Sequence, residues 1–141
     1  MAKIYRMSDR IPVKIHDLKV VIGPLDIHQK MSVEEAAASS GLLKATIQAM
    51  KYAIKDIEGL IDKDGNEYEL NRDPDGSLTD ECLNDLFNIE HSYALSSVCL
   101  NLLTNIPDEF MDPNTGEKLD GVEFVVDKGG KGKKPKATSS K

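Results

Sequence analysis

Two short segments of alternating apolar residues constrain the fold of this chain more than any other feature. Apolar side chains recur at every second position over 11–15 and again over 18–22, and only the dipeptide His16-Asp17 separates the two segments. A period of two places these side chains on one face of a strand, so the pattern predicts a β-hairpin with a two-residue connection. Pro12 has no backbone N–H, which predicts that the first strand lies at a sheet edge.

Helical periodicity replaces the alternation after Asp26. Asp26 followed by Gln29 matches a capping box, which predicts a first helix over 27–39 that ends before Gly41. In the second predicted helix, apolar residues recur at successive steps of 4, 3, 4 and 3, and Gly59 is expected to end it. These apolar residues are Leu43, Ile47, Met50, Ile54 and Ile57.

The second half of the chain predicts shorter elements. Asp-Gly turns lie within 63–66 and 73–76, and the alternation over 67–70 predicts a short acidic hairpin with 60–62. Thr79 is a suitable N-cap for a third helix.

A last helix is predicted to run to Asn105, and Val122, Phe124 and Val126 predict a final short strand. The predicted fold class is therefore α+β, with an N-terminal β-hairpin, three to four helices and a short acidic hairpin. Residues 1–127 are expected to form a single globular domain. Residues 128–141, rich in Lys, Gly and Ser, are expected to be a flexible, disordered tail.

The net charge of −6 conceals a strong asymmetry. Six of the 18 basic residues lie in 128–141, which has no acidic residue, so residues 1–127 carry 12 basic against 24 acidic side chains. Such an acidic body repels phosphate backbones and anionic lipids, so neither nucleic acid nor a membrane is an expected partner. No apolar run approaches the ~20 residues that a membrane span requires.

One stretch partly matches a calcium-binding loop. Asn71, Asp73, Asp75 and Gly76 fall at positions 1, 3, 5 and 6 of the EF-hand pattern, but position 12, which needs a bidentate Glu, is Cys82. The preceding segment resembles a strand, where an EF-hand needs a helix. Because Asp-Gly turns followed by a Thr N-cap account for this stretch without an ion, no metal or other cofactor is expected.

The remaining reactive side chains form no catalytic pattern. His16, His28 and His91 lie far apart in the sequence, and the first and second of them are expected to be solvated. Cys82 and Cys99 lack a CxxC spacing and are expected to be two buried free thiols. His91 and a cysteine form a nucleophile pair only if the fold brings them together. No catalytic residue is assigned, and the chain is not expected to be an enzyme.

The apolar stripe of the second helix has two interpretations. In a small domain such a stripe is usually core, but methionine also adapts to varied partners, so the stripe is a candidate docking surface. A charge at Met50 distinguishes the two, because it removes binding from a docking surface and unfolds a core. The candidate partner-binding residues are Met31, Leu43, Ile47, Met50, Ile54 and Ile57.

Several segments together resemble a known family over roughly residues 3–110. The segments are the hairpin, Gly23-Pro24-Leu25-Asp26, Lys51-Tyr52-Ala53-Ile54-Lys55, Leu78-Thr79-Asp80-Glu81-Cys82 and Asn88-Ile89-Glu90-His91. In layout and local sequence the chain resembles the small tail assembly chaperones that long-tailed bacteriophages encode just upstream of the tape-measure gene.

The resemblance implies a non-enzymatic function. Proteins of this family coat the helical tape-measure protein and keep it soluble in the host cytoplasm until tail-tube subunits polymerise around it. The tape-measure protein is then the expected partner, with the tail-tube protein and a second copy of the chain as further candidates. The alternatives are a structural tail or baseplate subunit of the virion and a calcium-binding module.

Overall fold

The computed structural model describes residues 4–103 and 107–125. These residues form a four-stranded antiparallel sheet and four helices, which confirms the predicted α+β class. Val126, predicted to be part of the final strand, and the predicted tail over 128–141 lie outside the described residues. In chain order the elements are β1 (Ile11–Ile15), β2 (Leu18–Ile22), α1 (Ile27–Ser40), α2 (Leu42–Ala53), β3 (Ile54–Glu58), α3 (Asp80–Leu86), α4 (Ser92–Asn101) and β4 (Val122–Phe124).

β1 and β2 form the predicted hairpin. They pair antiparallel from Ile11 with Ile22 to Ile15 with Leu18. His16 begins the two-residue turn with a φ of 56°, the left-handed conformation that a tight hairpin turn needs. The alternating apolar side chains point into the core, where Ile15 and Ile22 are fully buried.

β1 is not an edge strand, so the prediction from Pro12 is wrong. The strand order is β3-β2-β1-β4, which places β4 along β1 and β3 along β2. The Pro12 carbonyl accepts a hydrogen bond from the Val125 N–H at 3.0 Å, and the nitrogen and carbonyl of a strand residue point to the same side. The paired register of β4 stops where Phe124 meets Val13, so Pro12 lies at the very end of the β1–β4 ladder, where its missing N–H costs only the bond that would return to the Val125 carbonyl.

The start of α1 follows the sequence closely. The Asp26 carboxylate accepts from the Gln29 N–H at 2.8 Å, and the Gln29 side chain accepts from the Asp26 N–H at 2.9 Å, so the predicted capping box is present. Of the 14 residues of α1 only Val33 is buried, and the helix lies on the surface against α2. Gly41, with a φ of 94°, separates α1 from α2 and allows the sharp change of direction between them.

α2 ends at Ala53, and the chain continues directly into β3. The prediction of a helix that carries Ile54 and Ile57 is therefore wrong. Ile57 pairs with Val20, and Ile54 pairs with Ile22, so the register skips Lys55 as the extra residue of a bulge. A bulge shifts the phase of a strand by one residue, so two side chains three positions apart both face the core. A bulged strand has here produced the spacing of an amphipathic helix.

Arg72 holds the junction between α2 and β3 together. Its Nη2 donates to the carbonyl oxygens of Ile54 and Lys55 at 2.9 and 2.7 Å, and its Nη1 donates to the Gly76 carbonyl at 3.0 Å. One guanidinium group thus joins the bulge to the following acidic turn.

Replacing Arg72 with methionine is expected to lower the free energy of unfolding by about 1–2 kcal/mol. The side-chain stem remains, but the three backbone carbonyls lose a charged donor. Urea unfolding followed by far-UV circular dichroism measures the difference. Lys63→Met, in the exposed neighbouring turn, is the matched control and should leave the midpoint unchanged. Equal midpoints for the two variants would show that the guanidinium does not secure the junction.

The acidic segment after β3 contains the predicted pairing but no extended strand. Ile61 and Glu67 form an isolated antiparallel bridge, which confirms the pairing of these two stretches. Thr79 caps α3 by accepting from the Cys82 N–H at 3.2 Å. α4 ends at Asn101, so its predicted extension through Leu102 and Leu103 is wrong; these two residues form a turn, and 104–106 lie outside the described residues.

One core cluster contains the inward face of the sheet together with residues of α2, α3 and α4. Its largest fully buried side chains include Phe110, Met50, Leu86 and Leu95. Among the helices within 4–103 and 107–125, none is long and apolar enough to cross a membrane.

Candidate functional site

The six candidate partner-binding residues divide between the core and the surface. Met50, Ile54 and Ile57 are buried, with at most 3% of each residue exposed, so this part of the stripe is core and is not a docking surface in this fold. Ile47 is half-buried against the same core. Their burial follows from the contact of α2 with α4 and of β3 with β2. The two remaining residues are exposed, Leu43 by 67% and Met31 by 52%.

Leu43 lies at an open apolar groove between the beginning of α2 and α4, here called the α2–α4 groove. Its volume is about 290 Å³, and residues 113–114 contribute to its lining. No charged side chain lines it, and three of its apolar residues are exposed to solvent, Leu42, Leu43 and Tyr93. The main apolar contributors are Leu42, Leu43, Phe87, Tyr93 and Leu100.

Four small hydroxyl residues lie among these apolar groups without making the groove polar. The Thr46 hydroxyl donates to the Leu42 carbonyl at 2.8 Å, and the Ser96 hydroxyl donates to the Tyr93 carbonyl at 2.9 Å. Because these two hydroxyl hydrogens are directed to carbonyls of their own helices, they are not offered to the groove. Small side chains here also leave space that larger ones would fill, so the groove can admit apolar side chains of a partner.

Hydrogen bonds from α4 hold the segment 111–114, which contributes to the lining of the groove. The Tyr93 hydroxyl donates to the Asp112 carboxylate at 2.6 Å and accepts from the Asn114 side chain at 2.9 Å. The Asn101 side-chain amide donates to the Met111 carbonyl and accepts from the Met111 N–H. The bond to Asp112 raises the pKa of Tyr93, and the same bond lowers the pKa of Asp112. Tyr93 therefore lines the groove and also holds residues 112 and 114 beside it.

The loop that partly matches an EF-hand is organised by its own hydrogen bonds. The Asp75 carboxylate accepts from the backbone and the hydroxyl of Ser77 at 3.0 and 2.6 Å, and these bonds lower the pKa of Asp75. Arg72 and Leu78 form an antiparallel bridge across the turn. Among residues 4–103 and 107–125, no three His, Cys, Asp or Glu side chains gather to hold a metal ion.

The histidines and cysteines occupy separate environments. The His16 and His91 rings stack with centroids 3.9 Å apart, and the carboxylates of Asp17 and Glu90 lie 3.9 and 3.8 Å from His91 Nε2. Both cysteines are free and buried, as predicted, and burial raises the pKa of the Cys99 thiol to about 12. No contact joins His91 to a thiol within the described ranges, so the two are not brought together as a nucleophile pair.

Sequence reasoning found Leu43 but missed the rest of the groove. Leu42, Phe87 and Tyr93 come from three different elements, and no periodicity connects them. One local signal was available: Leu42 and Leu43 follow Gly41 at the first turn of a helix, where two adjacent leucines cannot both face the core.

Comparison with known protein families, curated proteins and solved structures finds no match for this chain. The role of the α2–α4 groove therefore rests on its own geometry and chemistry.

Proposed function

We propose that this protein is a non-enzymatic tail assembly chaperone of a long-tailed bacteriophage. It binds the tape-measure protein in the host cytoplasm and keeps it soluble until the tail tube polymerises. The docking surface is the α2–α4 groove, and its occupant is an amphipathic helical segment of the tape-measure protein.

The exposed apolar groove is the observation that carries this proposal. Leu42 and Leu43 are 48% and 67% exposed, and a small monomeric protein gains nothing in stability from leaving such side chains in water. The uncharged lining favours leucine, isoleucine or methionine side chains over charged groups. An amphipathic helix presents such side chains on one face, and helix-in-groove binding is a common mode of recognition.

The charge of the body supports the same function. Residues 1–127 carry 24 acidic against 12 basic side chains, so complexes that contain several copies repel one another. A chaperone that covers the apolar face of a long helix while adding negative charge keeps that helix dispersed. The tail-tube protein and a second copy of the chain remain further candidate partners.

Leu43→Asp is expected to weaken binding of the tape-measure protein by at least about tenfold. The substitution removes an apolar contact that the bound client would bury, and it places a carboxylate in the interface. The tape-measure protein of the same phage would be co-expressed with the tagged chain, and the amount of soluble, co-purified client would be measured. Because Leu43 is exposed, far-UV circular dichroism of the variant should match that of the wild type.

Ile61→Asp is the matched control, since Ile61 is 63% exposed and does not line the groove. It should retain the client fully. Equal retention by Leu43→Asp would refute the groove as the docking surface. Mass spectrometry of purified virions separates the alternative function, because a structural tail or baseplate subunit is present at fixed stoichiometry and a chaperone is absent.

A further inference from the structure

Three cationic side chains converge at the end of the sheet where β2 finishes and β3 begins. Two of them lie against Gly23: a Cβ at this position would stand 2.8 Å from Lys55 Cε and 3.2 Å from Arg10 Nη1. The third, Arg72, donates to the Lys55 carbonyl. Because glycine has no side chain, Gly23 leaves room for the side chains of Lys55 and Arg10 beside its Cα.

Lys55 reaches this cluster because it is the bulge residue of β3. The register between β2 and β3 skips it, and a bulge redirects the side chain of the extra residue. Its ammonium group makes no ion pair with any carboxylate in the part of the chain that the structure describes. The charged groups around it are Arg10, Arg72 and Asp26.

The cluster is short of negative charge although the protein is acidic. Asp26 is the one carboxylate that acts on Lys55, and Asp26 already accepts the Gln29 N–H at the N-terminus of α1. Burial, followed by the charges of Arg10 and Arg72, lowers the pKa of Lys55. The folded protein therefore holds three like charges near one another, and a bound anion would reduce the repulsion among them.

Arg10 and Arg72 are held in place by backbone carbonyls. Arg10 Nη1 donates to the carbonyls of Met7 and Asp9 at 3.0 and 2.9 Å, which leaves its Nη2 without a hydrogen bond among the described residues. Arg72 donates to three carbonyls of the bulge and the acidic turn. A ligand would thus meet a fixed guanidinium edge beside a lysine, an arrangement suited to a carboxylate.

We propose that Arg10 and Lys55 form a binding site for a carboxylate side chain on an acidic segment of a partner protein. A short acidic segment places one or two charges at the site, whereas a nucleic-acid strand brings its whole charged backbone against the acidic body. The site lies at the C-terminal end of α2, and the α2–α4 groove lies at its N-terminal end, roughly 18 Å away along the helix. The two sites can therefore be tested separately.

The test is an NMR titration of the full-length protein with an acetylated tetraglutamate peptide. Saturable shifts are expected at the Lys55 Cε and the Arg10 guanidinium, and bound peptide should raise the pKa of Lys55 because an anion favours the ammonium form. Lys55→Gln should weaken binding by about tenfold, as expected for the loss of a charged hydrogen bond. Lys44→Gln, on the exposed face of α2, is the matched control and should bind as the wild type does.

Three results would overturn the assignment. These are no saturable shift at either residue of the wild type, equal binding by Lys55→Gln and Lys44→Gln, or tighter binding at the same residues of an oligothymidylate of equal charge. The first two refute an anion site and the third refutes a carboxylate-bearing partner. The wild-type shifts remain decisive if Lys55→Gln folds poorly.

Discussion

Met50→Asp is expected to unfold the protein at room temperature. Met50 is fully buried on α2 inside the core cluster that includes the sheet and α4. Truncating a buried methionine typically costs about 2–5 kcal/mol, and burial of an unpaired carboxylate adds several more. A domain of this size has a total stability of about 5–15 kcal/mol, so the loss is comparable to the whole. Far-UV circular dichroism should show loss of helical signal and no cooperative thermal transition.

Met50→Leu provides the control, since it nearly conserves volume and should cost less than about 1.5 kcal/mol. A Met50→Asp variant with a native spectrum and a cooperative transition would contradict the burial of this side chain. Because the aspartate variant fails by unfolding, loss of client binding at this position carries no information about docking. Leu43 is the position at which a charge tests binding without testing stability.

Cys99 is expected to react with a thiol reagent at least about a thousandfold more slowly in the folded protein than in urea. The side chain is fully buried, and burial raises its pKa from 9.0 to about 12, so almost no thiolate exists near neutral pH. Reaction therefore proceeds through opening of the fold. The release of chromophore from Ellman's reagent, measured on a Cys82→Ala background, reports Cys99 alone.

The raised pKa of Cys99 also gives the sign of a stability change. Between about pH 9 and pH 12 the unfolded chain loses the Cys99 proton while the folded state keeps it, so stability falls as the pH rises through this window. Cys99→Ala on the same background should lose less stability over that range. Rapid labelling of Cys99 without denaturant, at a rate that rises with pH as it does for an exposed cysteine, would contradict a buried, inert thiol.

The local elements of the fold were predictable because the interactions that define them are close in sequence. The hairpin over 11–22 depends on alternation and a two-residue turn, and both strands begin and end as predicted. The capping boundaries at Asp26 and Thr79 depend on side chains that bond to backbone three residues away. Such signals do not require knowledge of the rest of the chain.

The docking surface was only partly predictable because burial depends on neighbours that are distant in sequence. The stripe from Leu43 to Ile57 was correctly seen as apolar, but its residues differ in burial. Leu43 is exposed because it begins α2 beyond the reach of the core, and Met50 is buried because α4 packs against the middle of the helix. The α2–α4 groove joins residues from two helices, the C-cap of α3 and a turn, and no sequence pattern connects them.

The sequence by itself determined the α+β class, the N-terminal hairpin and the helix starts, because alternation, periodicity and capping act over a few residues. Tertiary structure alone decided where α2 ends. No glycine or proline stops that helix at Ala53. Instead, the Ala53 carbonyl accepts from the Gly23 N–H at 3.0 Å, and Arg72 donates to the carbonyls of Ile54 and Lys55. These donors come from about 30 residues before and about 20 residues after the junction. They replace the backbone bonds that another helical turn would have made internally, and the strand also pairs with β2 and buries Ile54 and Ile57 in the core.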